Sequence, residues 1–334
     1  MAEKVFIKNQ YGLEATNGTA VAATGRLLGQ VKMGKDREIR FPDDALGIRA
    51  RAYRSVTEQI HAGNIQLSFP EGAYFEALPI IMSIGVKGNI TAVEQTGSQG
   101  DYKWDHTPLL TASNDPDSIT LESGDEIQAY EIEYVMARRI VIEGSVGEDA
   151  PVSVEVECFG KQITATTFTA SLTPPTVDAM IANMAKFYVD TTWATLGETQ
   201  KTGLLKKYRI EILTGLHPKF LAAGSKMMTT HGESVIDVMW ALTFEGNSDA
   251  DVIFDAYQAE TAKALRLLIE GTQIGTGEKH SLQIDTYGKF EEVIPLGEEK
   301  DGNNLHTAIF HGISDNESTP RMLGVVVVTD IGSF

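Results

Sequence analysis

Cysteine is almost missing from this chain: Cys158 is the single one among 334 residues. No disulfide can form within the chain, and a cysteine-rich metal site is excluded. Cys158 alternates with Val152, Val154 and Val156, so it reads as a small buried hydrophobe and not as a nucleophile. Long apolar runs are missing as well. Hydrophobic residues make up 42% of the chain, yet no unbroken stretch approaches the roughly 18 residues of a membrane span. The cleanest run, Val325–Val328, is the interior of a strand. The opening MAEKVFIKNQYG has neither an apolar core segment nor a small-residue cleavage site, so secretion is not expected.

Basic residues are in deficit, with 28 Lys and Arg against 46 Asp and Glu, for a formal net charge of -18. That balance argues against a protein that grips nucleic acid through its phosphates. It is compatible with one that nucleic acid must pass without sticking, and it also serves plain solubility.

Signatures of chemistry are missing too. There is no G-x-x-x-x-G-K-[ST], no G-x-G-x-x-G after a strand, no G-x-S-x-G and no H-E-x-x-H. The seven histidines stand apart; only His306 and His311 are close, and ordinary polar or core roles account for them. Acidic neighbours such as Asp115 with Asp117, or Glu291 with Glu292, arise by chance among so many carboxylates. Trp104, Trp193 and Trp240 read as packing residues, with stacking on a ligand as the alternative. No catalytic residue, cofactor site or metal ligand is expected, and the chain is not expected to be an enzyme.

What the chain does have is alternation. Arg37, Ile39 and Phe41 lead a strand that stops before Pro42, and Ile65, Leu67 and Phe69 give the next. Tyr130–Glu143 and Val152–Phe159 alternate in the same way, as do Tyr208–Ile212, Val235–Phe244, Leu282–Ile284, Phe290–Ile294, Leu305–Phe310 and Met322–Val328. Glu3–Phe6 is predicted as an edge strand or arm, and Gly12–Thr19 as a turn. Phe75, Leu78 and Met82 share a helical face, shortened by Pro79. Helices are also predicted over Thr176–Phe187, capped by Thr176, and over Ala250–Leu268, where Phe254, Tyr257, Thr261, Ala264, Leu265 and Leu268 recur at helical spacing.

Two stretches follow one plan. Tyr74–Met82, Ser118–Leu121, Tyr130–Glu143 and Pro151–Phe159 are matched in order by Ala250–Leu268, His280–Thr286, Asn304–Gly312 and Arg321–Thr329. The predicted class is α+β, mostly β, as two tandem sandwich or barrel modules each flanked by a helix. The first covers residues 1–173, a linker with a helix covers 174–190, and the second covers 191–334. Polar segments Pro42–His61 and Leu213–Glu233 interrupt the two modules comparably, and Val86–Asp117 is long for a plain connection.

The stretch YKWDHTPLLTASNDPDSITLE from Tyr102 to Glu122, and MARRIVIEGSVGEDAPVSVEVECFG from Met136 to Gly160, resemble the major tail tube proteins of long, non-contractile-tailed bacteriophages. The opening Tyr11-Gly12 with Gly18-Thr19-Ala20, and the closing Leu323–Val328 strand, suit them also. The resemblance implies a structural subunit of the virion tail, with tail-tube-like modules that close into a ring through neighbouring sheets. Rings stack into a conduit for DNA ejection, assembled in the host cytoplasm. Implied partners are further copies of the chain, as trimeric pseudo-hexameric or hexameric rings. The resemblance also implies tape-measure protein in the lumen, terminator and tail-tip proteins at the ends, and double-stranded DNA in passage.

By this analogy Glu155 and Glu157 are candidate lumen acids, although either face of the sheet is open to that role. Arg49, Arg51 and Arg54 mark a candidate inter-ring loop in Pro42–His61; Leu213–Glu233 and Val86–Asp117 are further ones. The alternatives are another virion part, such as a tail-end hub or capsid decoration, and a carbohydrate-binding or hydrolytic protein using Trp104 or Trp240 with nearby carboxylates.

Overall fold

The computed structural model describes residues 7–41, 47, 49–50, 57–60, 62–147, 150–300 and 303–334. The predicted arm Glu3–Phe6, and Arg51 and Arg54, lie outside the described residues. The chain is mostly β, with two α-helices among the described residues.

In the first half the strands are β1 (Lys8–Leu13), β2 (Gly25–Arg26), β3 (Gln30–Met33), β4 (Arg37–Arg40), β5 (Thr57–Ile60) and β6 (Gly63–Phe69). A 3-10 turn, Phe75–Ala77, runs into helix α1 (Leu78–Ser83), with Pro79 in its first turn, where the ring costs no hydrogen bond. Then come β7 (Val93–Glu94), β8 (Tyr102–Asp105), β9 (Ile119–Gly124), β10 (Ala129–Ser145), β11 (Ser153–Gly160) and β12 (Ile163–Thr166).

The second half contains β13 (Ala185–Asp190), β14 (Leu205–Leu213), β15 (His217–Lys219), β16 (Thr230–Gly232) and β17 (Asp237–Glu245). Helix α2 (Ser248–Gln258) follows, and then β18 (Lys263–Gln273), β19 (Lys279–Lys300), β20 (Asn303–Gly312) and β21 (Leu323–Thr329). The Asn247 side chain accepts from the N–H groups of Asp249 and Ala250 and so caps α2, whose first turn carries Asp249 and Asp251 against the positive helix end.

Three expectations are corrected. Thr176–Phe187 is no α-helix: a short 3-10 turn at Ala182–Met184 leads directly into β13, which pairs with β18. The helix predicted over Ala250–Leu268 stops at Gln258; Glu260 takes φ 50, and Ala264, Leu265 and Leu268 belong to β18. The expected turn at Gly12 also gives way, since Gly12 and Leu13 end strand β1.

The pairing order in one half recurs in the other. In the first, β3 pairs with β6, β6 with β11, β11 with β10, β10 with β9 and β12, and β9 with β1. In the second, β14 pairs with β17, β17 with β20, β20 with β19, β19 with β18 and β21, and β18 with β13. Each half inserts a separate two-stranded hairpin at the same point, β4–β5 after β3 and β15–β16 after β14. The helices α1 and α2 fall at equivalent places.

The halves are joined by a ladder between β10 and β14, running from Arg139 opposite Leu213 to Ser145 opposite Lys207. Core side chains therefore line up across the boundary in unbroken rows. One row is Phe69, Val154, Ile142, Ile210, Trp240 and Phe310; the next is Leu67, Val156, Ile140, Ile212 and Val238. All of them are buried, and they belong to one apolar cluster. Cys158 lies in that cluster, where burial pushes its thiol up to about 12.

The long strand β10 serves two sheets by bending at Tyr134, a non-glycine residue at φ 61, with one register shift across it, between Ile132 and Val135, and another between Ala137 and Arg139. Buried Glu14 holds the bend. Its carboxylate accepts from the Tyr134 N–H at 2.9 Å, the Thr120 hydroxyl at 2.9 Å, the Ser118 hydroxyl at 2.5 Å and the Gly18 N–H at 2.6 Å. Four donors leave that charge fully satisfied, which is what a buried carboxylate requires.

A second carboxylate ties the halves together. Asp101 in the first half accepts from the N–H groups of Thr96 at 3.0 Å and, in the second half, Glu278 at 2.9 Å. Burial alone would raise the Asp101 carboxyl, but the Glu278 and Thr96 hydrogen bonds prevail and hold it at about 2. This lies below the ordinary carboxylate value of about 3.9, so the tie is at full strength above about pH 4 and is lost as pH falls towards 2. Urea midpoints of the native chain should therefore drop between pH 4.5 and 2, and those of Asp101→Asn should start lower and fall less over that window. Parallel curves would show that other carboxylates carry the acid sensitivity.

Candidate functional site

Strands β6, β11, β10, β14, β17 and β20 form a continuous sheet whose second face is charged and polar around the β11–β10–β14 joint, with Val141, Met239, Ala241 and Ile309 as apolar members. Glu155 and Glu157 lie on it, in register with Val141 and Glu211, and with Arg139 and Leu213, respectively. The two acids differ in their surroundings. Glu157 is paired with Arg139 at 2.8 Å and Arg138 at 3.3 Å, whereas Glu155 is exposed and has no ion pair among the described residues.

Charges continue across the boundary between halves: Arg139 reaches Glu211 at 2.6 Å, and Arg209 reaches Glu143 at 2.9 Å. The Arg139 hydrogen bond leads in holding the Glu211 carboxyl below its usual range, and the same contact raises Arg139. This face is thus a net of alternating charge at the joint, with Glu155 as an unneutralised acid.

The hairpins project from the same two points of the duplicated plan. Arg49 is exposed between β4 and β5. Both hairpins also present large apolar side chains to solvent: Ile39 and Phe41 in the first, Phe220 and Leu221 in the second. The sequence pattern marks the arginines and places Ile39 and Phe41 only on a strand; the feature these four share appears when the two hairpins are seen to be equivalent.

Val86–Asp117 is largely taken up within the chain. Its β8 pairs with β21 from Tyr102 opposite Thr329 to Asp105 opposite Val326, and Ser113 and Asn114 bond the Glu233 carboxylate beside the second hairpin. Trp104 is buried here, donating to the Ile331 carbonyl at 2.8 Å and stacked on Phe334 at 4.6 Å between centroids. Trp240 is buried beneath the sheet, donating to the Thr286 hydroxyl. Neither ring offers a face to a sugar. Trp193 is half-buried under the Arg321 guanidinium.

Two strand edges are one-sided. Among the described residues β3 pairs only with β6, and the second half of β19, beyond Lys289, pairs only with β20. These are the counterparts of the two edges that meet in the β10–β14 joint. Ile294 and Leu296 on that stretch of β19 are 43% and 68% exposed.

His306 and His311 do not come together. They are five positions apart on one strand and so point to opposite faces, with His311 2.6 Å from Glu291. A different histidine gathers acids: His280 lies 3.3 Å from Glu76 and 3.4 Å from Asp178, groups contributed from distant parts of the chain. Burial works against the His280 imidazolium, but Glu76, the Thr272 carbonyl and Asp178 outweigh it, so its pKa stands above the ordinary value.

Compared with known proteins, the chain matches no family model and no curated sequence. No helix among the described residues is long and apolar enough to cross a membrane.

Proposed function

We propose that this chain is a structural subunit of a bacteriophage tail tube, assembling into stacked rings that conduct DNA. The observation that most supports this reading is the joint between its own halves. Strand β14 adds to the edge of β10, and the same plan leaves β3 and the second half of β19 as an equivalent pair of edges without partners among the described residues. An open pair of complementary edges on one chain is a head-to-tail interface: repeated by rotation, it closes a ring. Unpaired edges are otherwise a hazard that proteins cover or charge.

On this reading the hairpins β4–β5 and β15–β16, with Arg49 and the exposed apolar side chains, reach the next ring. The sequence expectation extends this role to Arg51 and Arg54, which lie outside the described residues. The polar sheet face, with Glu155 and Glu157, lines the lumen and presents anionic groups to passing phosphates. The chain then belongs to a virion, with tape-measure protein inside the tube and terminator and tip proteins at its ends.

Electron microscopy of the purified chain tests the proposal. Rings or hollow tubes are expected. A monomer across salt and concentration would refute it, and a single ring that never stacks would replace it with a tail-end hub or capsid decoration.

A further inference from the structure

We propose that Glu76, His280 and Asp330 form a binding site for one divalent transition-metal ion, clamping the two halves and the segment after β21 together. The three side chains come from the turn before α1, the start of β19 and the residues following β21. Their candidate ligand atoms all lie within 4.8 Å of one another.

The imidazole is oriented as a ligand would be. Its Nδ1 lies 3.1 Å from the Thr272 carbonyl oxygen, which only accepts, so Nδ1 donates there. In the neutral ring that leaves the lone pair on Nε2. This atom is buried and has no hydrogen-bond partner among the described residues, on a side chain only 9% exposed. It faces Glu76 Oε1 at 3.3 Å and Asp330 Oδ1 at 3.8 Å, two further electron-pair donors.

A lone pair among carboxylates is repulsive unless a positive charge sits between them. Zinc-type bonds of 2.0–2.1 Å in tetrahedral array place ligand atoms about 3.3 Å apart, close to these separations. A histidine donating its second nitrogen to a carbonyl is also the usual outer support of a metal-bound imidazole.

The rest of the shell is prearranged. Both Glu76 oxygens accept from the Asp178 N–H, and Asp178 accepts from the Thr272 N–H and hydroxyl, so these carboxylates are fixed before any ion arrives. Phe75 lies against the imidazole at 5.9 Å between centroids and closes one wall. Asp330, with a side chain 45% exposed, is the open side by which an ion enters and a water completes the shell. The proposal does not depend on ring assembly.

The competing occupant is a proton. The test uses the full chain stripped with EDTA and titrated with cobalt(II) and zinc(II). One equivalent should bind, cobalt should give the intense visible bands of a low-coordinate site, and zinc at about 100 times its Kd should raise Tm by about 4 °C. Asp330→Asn, at the exposed ligand, should stay folded and weaken binding by more than the roughly tenfold that losing even an outer partner of a metal site costs. His280→Gln should abolish the cobalt bands. Failure of the native chain to bind, or binding indifferent to both substitutions, overturns the proposal. So does a nitrogen NMR spectrum showing His280 doubly protonated at pH 7 with zinc present.

Discussion

Lysine at both Ile294 and Leu296 should leave the chain folded and abolish its rings. Ile294 stands on the part of β19 that pairs on one side only, Leu296 sits in the bulge that follows it at φ 60, and both face solvent in the single copy. Exposed substitutions of this kind typically alter stability by about 0.5 kcal/mol or less. In a ring, the same positions would be drawn against β3 of the next copy, and two buried ammonium groups without partners would cost several kcal/mol. Circular dichroism should be unchanged while sedimentation shows a monomer. Rings that survive both lysines would remove this edge from the interface.

A second arm tests the opposing edge. Successive backbone N–H groups of a strand point to opposite sides, so proline at Val31 and at Lys32 in separate variants removes one inward and one outward donor. One variant should loosen the β3–β6 ladder; the other should spare it and still block assembly. Equal assembly by both would sink the edge model even if rings form by another route.

Replacing Glu14 with alanine should cost about 3–5 kcal/mol, the largest loss expected from any single change described. The buried carboxylate satisfies four donors, two of them backbone N–H groups, of which that of Tyr134 is buried and has no water to turn to. One of these belongs to Tyr134, whose positive φ is itself unfavourable and depends on its surroundings being fixed. Glu14→Gln tests the charge apart from the shape: it keeps one acceptor oxygen but turns an amide nitrogen towards donors, so it should recover only part of the loss. Urea unfolding reads both. A cost below about 1 kcal/mol for alanine would mean that the bend of β10 is held by packing instead.

Alternation made many strands legible. Ile65, Leu67 and Phe69 are all buried on β6, and Val152, Val154, Val156 and Cys158 line the core face of β11. The duplication was legible as a fact but not in register. Phe254 through Leu268 fits a helical period across a stretch that turns from helix to strand at Glu260. Reading it all as helix hid β18, and every later match slipped by one strand. The pattern matches Pro151–Phe159 with Arg321–Thr329, whereas pairing makes β20 the counterpart of β11.

Thr176–Phe187 misled through its apolar spacing alone: Met180 and Ala182 are buried while Ile181 and Met184 face outward, as an irregular chain entering a sheet allows. The one-sided edges could not be read from composition, because being an edge is a property of neighbours. The same holds for Glu76, His280 and Asp330, which only the fold assembles.

The two halves are alike in their ladders but not in their excursions. Between α1 and β9 the chain makes the long detour that carries β7 and β8, while the corresponding step from α2 to β18 is a short turn. Any circular array of this protein would therefore alternate a padded sector with a bare one. Its outer profile would repeat once per polypeptide instead of twice, so a collar or cap fitting snugly against it must share the lower rotational order.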